Sequence, residues 1–452
     1  MAIMKRIVDA LKTINYKMFG VLLLMGLVPT IYTTVRIFFL GQMPGDWGFN
    51  IASQLQWVNL LYEIIQEAFI LPLFFFIGRA FSKDKETLTN TIRSSALVAF
   101  IVYTALSIII MIFAEPLIKL MAQDTSLIKE TAVYIRLETI ANIFSPLVKF
   151  MIVVLVTIKK DLYMLLVLFV QMVLSILFDT FLVSNLSVSA KLGVNGIAYT
   201  NIIVNIILLA LAIGLLYKEG IKLFSLEKMD FTWMKEWFKV SSFSGLESLV
   251  RNLAFMLMIV RMVNVVGEQG TFWVANNFIW GWLLLPVIQM GELIKSDFGT
   301  YGMQANKERA LGYFTITTII CVIWCILIPA YEPFIRGAMA VDNADVVTHL
   351  VLISLAFYVL FAYNNVIDSI FYGIGKTNYM LFQSLVINIV YYGLMFILYK
   401  TGVYVPTLDK IALMFAGGTA LDSVLTYFIY WWMLKKNKSA NQNGVEQAEV
   451  KE

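Results

Sequence analysis

Charged side chains inside long apolar stretches are the residues of this sequence best placed to do chemistry. A charge in such surroundings costs at least about 2.5 kcal/mol unless it is paired, so each one is a candidate for holding an ion or a polar ligand. The basic members are Arg36, Arg136, Lys149, Arg251 and Arg261. The acidic members are Glu63, Glu67, Glu138, Asp179, Glu247, Glu292, Asp368 and Asp422. Together they indicate the binding of ions or solutes.

The spacing of some of these residues suggests how they act. Glu63 and Glu67 are four residues apart, as are Glu247 and Arg251, so each pair shares one face of a helix. Two close carboxylates hold a proton or attract a cation, and we interpret Glu63 and Glu67 as cation-coupling candidates. Glu247 is either a proton-coupling group or the static partner of Arg251. Asp422, which has no assigned partner, is a further coupling candidate.

The residues needed for most enzymatic chemistry are missing. The sequence has one His and two Cys, Cys321 and Cys325, which are one helical turn apart. A zinc site, a disulfide framework or a thiol–imidazole nucleophile therefore lacks its side chains. Gly375-Lys376-Thr377 looks like the end of a phosphate loop, but Ile370 stands where the first glycine of that motif belongs. We expect no enzyme activity, no bound metal and no cofactor besides a coupling ion.

Composition identifies the surroundings of these charges as a lipid bilayer. Of the 452 residues, 60% are hydrophobic and 14% are charged, against about 45–50% and about 25% in an ordinary soluble domain. The mean hydropathy is +0.79, and the aromatic residues are spread along the whole chain. A soluble protein is thereby excluded, and nearly the entire chain is expected to lie in the membrane.

Apolar stretches of about 20 residues, the length that crosses a bilayer, occur twelve times. They run approximately over 16–40, 51–77, 92–113, 130–157, 161–184, 193–217, 236–266, 271–295, 309–330, 346–373, 378–399 and 409–434. These stretches are too long for barrel strands and lack their alternation. The sequence therefore predicts an all-α polytopic membrane protein with twelve transmembrane helices.

Lysine and arginine are distributed unevenly between the two sets of loops. With an intracellular N-terminus, 22 of the 34 Lys and Arg residues fall at inner loops or the near end of the C-terminal tail, and six fall in outer loops. Positive charge is retained on the cytoplasmic side, so both termini are predicted to be cytoplasmic and the protein to lie in the plasma (inner) membrane. The net charge of +4 reflects this bias and does not indicate a nucleic-acid partner.

The longest inner connection divides the chain into two six-helix bundles, 1–217 and 240–434. The segment between them, 218–239, ends in Trp233, Met234, Trp237 and Phe238 interleaved with charged residues, a pattern typical of an interfacial helix. An extended apolar loop is the alternative. Residues 435–452 are almost devoid of apolar side chains and are predicted to form a disordered cytoplasmic tail.

The two bundles repeat one another in sequence. Ile158–Leu165 (IKKDLYML) corresponds to Ile374–Leu381 (IGKTNYML), and Val35-Arg36-Ile37 corresponds to Val260-Arg261-Met262. Gly78–Glu86 similarly corresponds to Gly302–Glu308, in the same order and at nearly the same offset. Because six is an even number, the halves have the same orientation in the membrane. Such a parallel repeat predicts a central cleft between two bundles.

At this level of detail the sequence resembles the multidrug and toxic compound extrusion (MATE) family, one branch of a superfamily that also holds polysaccharide and lipid-precursor flippases. The resemblance covers roughly residues 16–434 and depends on the order of several features rather than on one motif. They are Pro29, the turn Gly78–Glu86, Phe178-Asp179, Leu192–Ala198 and the turn Gly373–Thr377. The resemblance implies a secondary antiporter that exports organic solutes by alternating access, driven by inward sodium or proton flow.

One position departs from the family pattern. In many relatives an aspartate occupies the position of Arg36 and binds the coupling cation together with an aspartate that Asp179 matches. Arg36 and Asp179 each lie five residues from the outer end of their span, about 7 Å deep, so they can meet. Our main hypothesis is that the guanidinium occupies the place of the sodium ion. The alternatives are a cation bound by Asp179 with Ser175 and Thr200 or Asn201, and a purely structural ion pair.

Substrate-cleft candidates come from the remaining arginines and from amides at membrane depth. Arg261 is the repeat equivalent of Arg36, and together with Arg251 these arginines could bind an anionic or zwitterionic solute; alternatively, Arg261 reaches the outer interface. Amide side chains at this depth need polar partners, and those expected at the cleft are Asn276, Asn277, Gln289, Asn364 and Asn365.

We therefore predict a cation-coupled (Na⁺ or H⁺) antiporter that exports organic solutes or drugs. The alternative is a flippase for a lipid-linked saccharide or a peptidoglycan precursor, with Arg36, Arg251 and Arg261 holding a pyrophosphate. The expected partners are a small organic molecule and the lipid bilayer. The chain is expected to act as a monomer and to bind no nucleic acid.

Overall fold

The structure is a computed structural model that describes residues 2–43, 47–225, 228–302 and 309–449. Within these residues the chain forms twelve long helices, α1–α12. The first six are α1 (Tyr16–Gly41), α2 (Leu55–Phe81), α3 (Lys85–Ile112), α4 (Ile128–Thr157), α5 (Asp161–Leu182) and α6 (Val194–Lys218). The last six are α7 (Met234–Phe255, Met256–Val260 and Arg261–Val265), α8 (Gln269–Phe278, Ile279–Leu283 and Leu285–Tyr301), α9 (Ala310–Gly337), α10 (Ala344–Gly373), α11 (Thr377–Leu385, Val386–Tyr391 and Tyr392–Lys400) and α12 (Leu408–Glu449).

Each of the twelve predicted spans corresponds to one of these helices, and the described residues contain no strand. Of the described helices, ten are long and apolar enough to cross a membrane, and α8 brings the number to eleven when its two bent parts count as one span. The remaining helix, α2, has 27 residues, a length that also suffices to cross a bilayer. The predicted twelve-helix, two-bundle architecture is confirmed.

The helices divide into an N-half (α1–α6) and a C-half (α7–α12), each with its own apolar core. The N-half core is built around Trp57, Tyr103 and Phe150 and also takes in Val260 from α7. Conversely, Ile37 of α1 is buried in the core of the C-half. The first helix of each half therefore packs against the other half, and the halves meet along two seams, α1 with α8 and α2 with α7. We call the side where α1 begins the terminal side, and the side where α1 ends the far side.

The sequence repeat is visible in the backbone. Lys159 and Gly375, 216 positions apart, both adopt left-handed conformations, with φ of +59° and +70°. In each turn the next amide donates back into the preceding helix, from Lys160 to the Leu155 carbonyl and from Lys376 to the Phe371 carbonyl, both at 2.8 Å. These are the closing bonds of a helix C-terminus. Of the third sequence match, residues 303–308 lie outside the described residues.

Three helices contain a π-helical turn that periodicity does not predict. The turns are Met256–Val260 in α7, Ile279–Leu283 in α8 and Val386–Tyr391 in α11, all in the C-half. In addition, α8 bends by 50° between Leu283 and Leu285. Pro286 follows this break at the start of the next helical segment, where its missing N–H and fixed φ are tolerated.

The segment that joins the halves differs from the prediction, because its described residues, 218–225 and 228–239, form no separate interfacial helix. Its amphipathic end is the first part of α7, which starts at Met234 and continues into the span without a break. Trp237 is 7% exposed, and its ring centroid is 4.6 Å from that of Phe69 on α2. The Trp237 side chain therefore packs against α2, whereas the sequence pattern predicts that it lies against the lipid surface. Arg93 donates to the Leu223 and Ser225 carbonyls and holds the preceding loop against α3.

The two chain ends also form helices. A helix over Ala2–Lys12, which the sequence analysis missed, packs against the start of α9. Gly312 permits the close approach, since a Cβ atom there would lie 2.9 Å from the Ala10 carbonyl oxygen. At the other end, α12 continues to Glu449, whereas composition predicts a disordered tail. Ala, Glu, Gln and Lys extend a helix readily once a preceding span has nucleated it.

Candidate functional site

The first charge cluster lies inside the N-half and joins four helices. Arg36 of α1 donates from Nε to Asp179 Oδ2 of α5 at 2.8 Å and from Nη2 to Asp179 Oδ1 at 3.4 Å. The same Nη2 donates to Asn201 Oδ1 of α6 at 3.0 Å. The Asn201 amide in turn donates to both Glu138 oxygens of α4, at 2.9 and 3.0 Å. The guanidinium is thus bound directly to one carboxylate and through an amide to a second.

Burial makes this N-half cluster a closed unit. The side chains of Asp179 and Arg36 are 1% and 14% exposed, and Glu138 is 1% exposed. The geometry is bidentate, as planar guanidinium–carboxylate pairs prefer. The structure therefore brings Arg36 and Asp179 together. That the guanidinium takes the place of a coupling cation stays a prediction.

The side chains of the alternative cation site are also buried. Ser175 is 3% exposed and Thr200 is fully buried, and the Thr200 hydroxyl has no hydrogen-bond partner among the described residues. Asn201, the third member, is already used by Arg36 and Glu138. Glu138 completes this cluster, and the sequence analysis assigned it no role. In the sequence, Glu138 differs in no way from the other acids that lie within apolar spans.

A second cluster lies at the seam between the halves, in the middle of α2 and α7. Arg251 uses all three of its guanidinium nitrogens: Nη2 bonds to Glu67 Oε2, Nε lies 3.4 Å from Glu247 Oε1, and Nη1 lies 3.8 Å from Glu63 Oε1. Glu247 also accepts a hydrogen bond from the Ser384 hydroxyl of α11, at 2.6 Å. Arg251 is therefore not only the static partner of Glu247, four residues away, but also the link between the two halves.

A lysine extends this second cluster on the N-half side. Lys149 of α4 donates from Nζ to Gln66 Oε1 of α2 at 2.9 Å. Glu63 is close enough to both Lys149 and Arg251 to interact electrostatically with each. The two close acids of α2 thus already face two cationic side chains, one from each half.

A cavity of about 820 Å³ opens beside this second cluster, inside the C-half. Its charged lining residues are Glu67, Glu247, Arg251, Asp368 and Asp422. Aromatic side chains form much of the remaining wall: Phe255, Tyr372, Tyr392 and Phe415. The volume is that of a small-molecule site. We call it the C-half cavity.

Two of the carboxylates in the C-half cavity are held by amides rather than by basic groups. Asn364 donates to Asp422 Oδ2 at 3.2 Å, and Gln383 donates to Asp368 Oδ1 at 2.9 Å. The carbonyl oxygens of both amides are buried and have no hydrogen-bond partner within the described chain. Asp422 thus has a partner that the sequence did not assign. Asp368, which the sequence places near the end of its span, faces the same cavity.

The far side carries Arg261 and a set of amide contacts between the halves. Arg261 donates from Nε to the Leu120 carbonyl at 2.9 Å. Gln54 and Asn264 exchange two hydrogen bonds of 2.7 and 3.1 Å, and both are buried. Arg261 therefore closes the far side instead of facing the cleft opposite Arg36, and the predicted pairing of these two arginines across a cleft is wrong.

The remaining amide candidates separate into cleft and packing residues. Asn276 and Asn277 line a cavity of about 410 Å³ between the halves, together with Arg36 and Glu63. In contrast, Gln289 packs against Gly26 in the α1–α8 seam, and Asn365 donates to the Val287 carbonyl at 2.9 Å. Of the five predicted amides, Asn276, Asn277 and Asn364 therefore lie at cavities or cavity carboxylates.

Comparison with known proteins places this geometry in context. The MatE family model matches residues 75–181. An inward-facing structure of a multidrug resistance MATE family transporter of the MOP superfamily matches with a TM-score of 0.71 and 17% identity, over 91% of this chain and 95% of that one. The chain carries a MatE segment on the fold of the MATE transporters. The family resemblance predicted from the sequence is confirmed.

Two further MATE-fold structures match over almost the whole chain. An outward-facing MATE family transporter has a TM-score of 0.63 at 16% identity, covering 96% of this chain and 98% of that one. A MOP superfamily transporter from Pyrococcus furiosus, whose binding pocket of reverse polarity suggests a different function, also has a TM-score of 0.63 at 16% identity, covering 95% and 97%. Among curated proteins, none matches the sequence significantly.

The score against the inward-facing transporter, 0.71, exceeds the 0.63 against the outward-facing one. In this chain the buried Gln54–Asn264 contact holds the halves together on the far side.

Proposed function

We propose that this chain is a secondary active transporter that exports organic cations by alternating access, coupled to the inward flow of Na⁺ or H⁺. The observation that carries the proposal is the C-half cavity. Four carboxylates and one guanidinium are among its described lining residues, so its charge is negative. The aromatic walls add cation–π attraction for an organic cation.

Alternating access is supported by the two seams between the halves. In each seam the first helix of one half packs against the second helix of the other, so that tilting the halves opens one side while it closes the other. The far-side contacts include the uncharged Gln54–Asn264 amide pair, which can separate at modest cost once water reaches it. The excess of Lys and Arg on the terminal side supports a cytoplasmic location of that side.

Asp368 and Asp422 are the carboxylates that we assign to ion coupling. Within the described part of the chain, neither forms an ion pair with a basic side chain, whereas Asp179 is held by Arg36. A proton or a sodium ion can therefore bind at the two C-half acids without displacing a resident cation. The membrane potential contributes about 2.3 kcal/mol per charge for every 100 mV to such a cycle.

The described contacts of the arginines do not support the flippase alternative. A pyrophosphate site would require Arg36, Arg251 and Arg261 to converge on one cavity. In the structure they bind Asp179, Glu67 and the Leu120 carbonyl, respectively. The contacts of these arginines instead support a transporter whose open cavity is negatively charged.

The proposal is tested by efflux from proteoliposomes loaded with a panel of cationic and anionic dyes, with sodium and pH gradients imposed separately. The expected result is efflux of cationic dyes driven by one of the two gradients. Asp422→Asn should remove the gradient dependence, and Asp409→Asn, an exposed acid of the same helix, serves as the matched control. Efflux of no cation under either gradient would contradict the proposed function.

A further inference from the structure

Arg251 occupies the C-half cavity in the manner of a ligand. Among the described residues that line this cavity it is the one basic side chain, and its side chain is 36% exposed. We propose that Arg251 is a tethered mimic of the solute, and that the ligand of this cavity is an organic cation with a guanidinium or amidinium head group. The assignment of this ligand as the exported solute rests on the proposed function.

The carboxylates around Arg251 match the shape of a guanidinium. Each of its three nitrogens faces a different acid: Nη2 faces Glu67, Nε faces Glu247 and Nη1 faces Glu63. A planar cation with N–H groups on three edges can use all three acceptors together. A spherical ammonium ion cannot, and a quaternary ammonium has no N–H to donate.

The cage is divided between the two halves of the protein. Glu63 and Glu67 belong to α2 of the N-half, while Glu247 and Arg251 belong to α7 of the C-half. Glu67 is 12 residues from one end of α2 and 14 from the other, about 18 and 21 Å along the helix axis, which is mid-membrane. Separating α2 from α7 therefore removes the guanidinium from two carboxylates at a depth where water is scarce.

A solute with the same head group removes this obstacle. It can bind Glu67 and Glu63 as Arg251 withdraws with Glu247. Glu67 then never lacks a cation, and Glu63 keeps Lys149 beside it in either case. The C-half cavity lies directly beside the cage and offers Phe255 and Phe415 to the apolar part of such a solute. In this arrangement a transporter that holds neither solute nor coupling ion stays latched, and one that holds the solute is free to open.

Binding to the purified full-length protein tests the inference without a gradient. The probes are two amphiphiles with the same alkyl chain, hexylguanidinium and hexyltrimethylammonium, titrated against wild type, Arg251→Ala and Arg336→Ala by calorimetry. We expect hexylguanidinium to bind Arg251→Ala about tenfold more tightly than wild type, because the competing group is gone, and about tenfold more tightly than its quaternary counterpart. Arg336→Ala, an exposed far-side arginine, should behave as wild type.

A second pair of variants covers the case in which Arg251→Ala does not fold. Glu67→Gln and Glu247→Gln keep the arginine and remove one acceptor each, and we expect both to lose the preference for guanidinium over quaternary ammonium. Equal affinity of the two probes for wild type and for whichever of these variants fold would overturn the inference. Guanidinium-selective binding without efflux of any cation would instead support the inference and contradict the proposed function.

Discussion

The two halves of this protein share a fold but treat their buried charges differently. In the N-half, Asp179 and Glu138 are sealed from solvent and already satisfied by Arg36 and Asn201. In the C-half, Asp368 and Asp422 are held by amide groups and face a cavity of about 820 Å³. The N-half acids therefore already hold a cation from within the chain, whereas Asp368 and Asp422 form no ion pair with a basic side chain of the described residues, although Arg251 lines the same cavity.

The helices around the two sites also differ in regularity. Among the described residues, π-helical turns occur in α7, α8 and α11 and not in the N-half. Such turns insert an extra residue, widen the helix locally and are frequent at functional sites. Ile387 and Asn388 of the α11 turn line the C-half cavity. Local irregularity thus accompanies the open site, and regular helices accompany the sealed one.

The largest effect is expected from removing the cation of the N-half. Arg36→Ala leaves Asp179 and Glu138 buried with no positive partner, and losing one member of a buried ion pair costs about 3–5 kcal/mol of folding free energy. Thermal unfolding in detergent, compared with Arg261→Ala at the exposed far side, measures the difference. Equal stabilities of the two variants would show that the N-half pair is not the structural unit described here.

A somewhat smaller effect should follow from turning the sealed site into an open one. Arg36→Asp places three carboxylates around the position of the guanidinium, which should create a sodium site. Sodium at 100 times its dissociation constant would then raise the stability by about 2.7 kcal/mol. The measurement is the unfolding temperature in sodium chloride against N-methylglucamine chloride at equal ionic strength. If the variant and the wild type respond identically to sodium chloride, the hypothesis that the Arg36 guanidinium takes the place of a sodium ion is contradicted.

The next effect concerns the contact that holds the halves together on the far side. Asn264→Leu removes the hydrogen bonds of Asn264 with Gln54 and with the Met121 carbonyl, while Gln54 keeps its bond from Trp57, and the closed state should lose about 1–3 kcal/mol. Labelling of a cysteine introduced at Gln56, beside this contact, should become about tenfold faster, since 1.4 kcal/mol corresponds to a factor of ten. Asn343→Ala, which breaks a contact within the C-half, is the control and should leave the labelling rate unchanged.

The smallest effect lies at the terminal side, where the repeat turns differ. A hydrogen bond from the Lys160 ammonium, 2.8 Å away, lowers the pKa of the partly exposed Glu219 carboxyl. The contribution of this pair to stability is therefore present above the unfolded-state pKa and is lost as the pH falls through the lowered folded-state value. Lys160→Met should slightly reduce the loss of stability at acidic pH. Lys376 is the repeat equivalent and has no ion pair among the described residues, so Lys376→Met should leave the pH dependence unchanged. An unchanged acidic limb in Lys160→Met would argue against the pair.

The sequence predicts two kinds of feature in this structure: those that depend on hydropathy averaged over about 20 residues, and contacts between charges at equal distances from their helix ends. The twelve spans follow from stretch length, and the Arg36–Asp179 contact follows from two charges at equal distance from their helix ends. The contact of Arg251 with Glu67 does not follow, because the residues are 184 positions apart and Glu247 is the nearer acid in sequence. The π-helical turns also depend on contacts with neighbouring helices, and so does the merging of the segment around Trp237 with α7. The local sequence pattern does not identify which helices will be neighbours.

The most direct test compares matched double variants, one in each half. Arg36→Met with Asp179→Asn removes both members of the N-half pair and leaves Glu138 with its hydrogen bonds from Asn201. Asp368→Asn with Asp422→Asn neutralises the C-half acids. Gradient-driven efflux of an organic cation from proteoliposomes is the readout for both. The account predicts coupled efflux from the N-half variant and no gradient dependence in the C-half variant. Loss of coupling in the N-half variant, with coupling retained in the C-half variant, would contradict it.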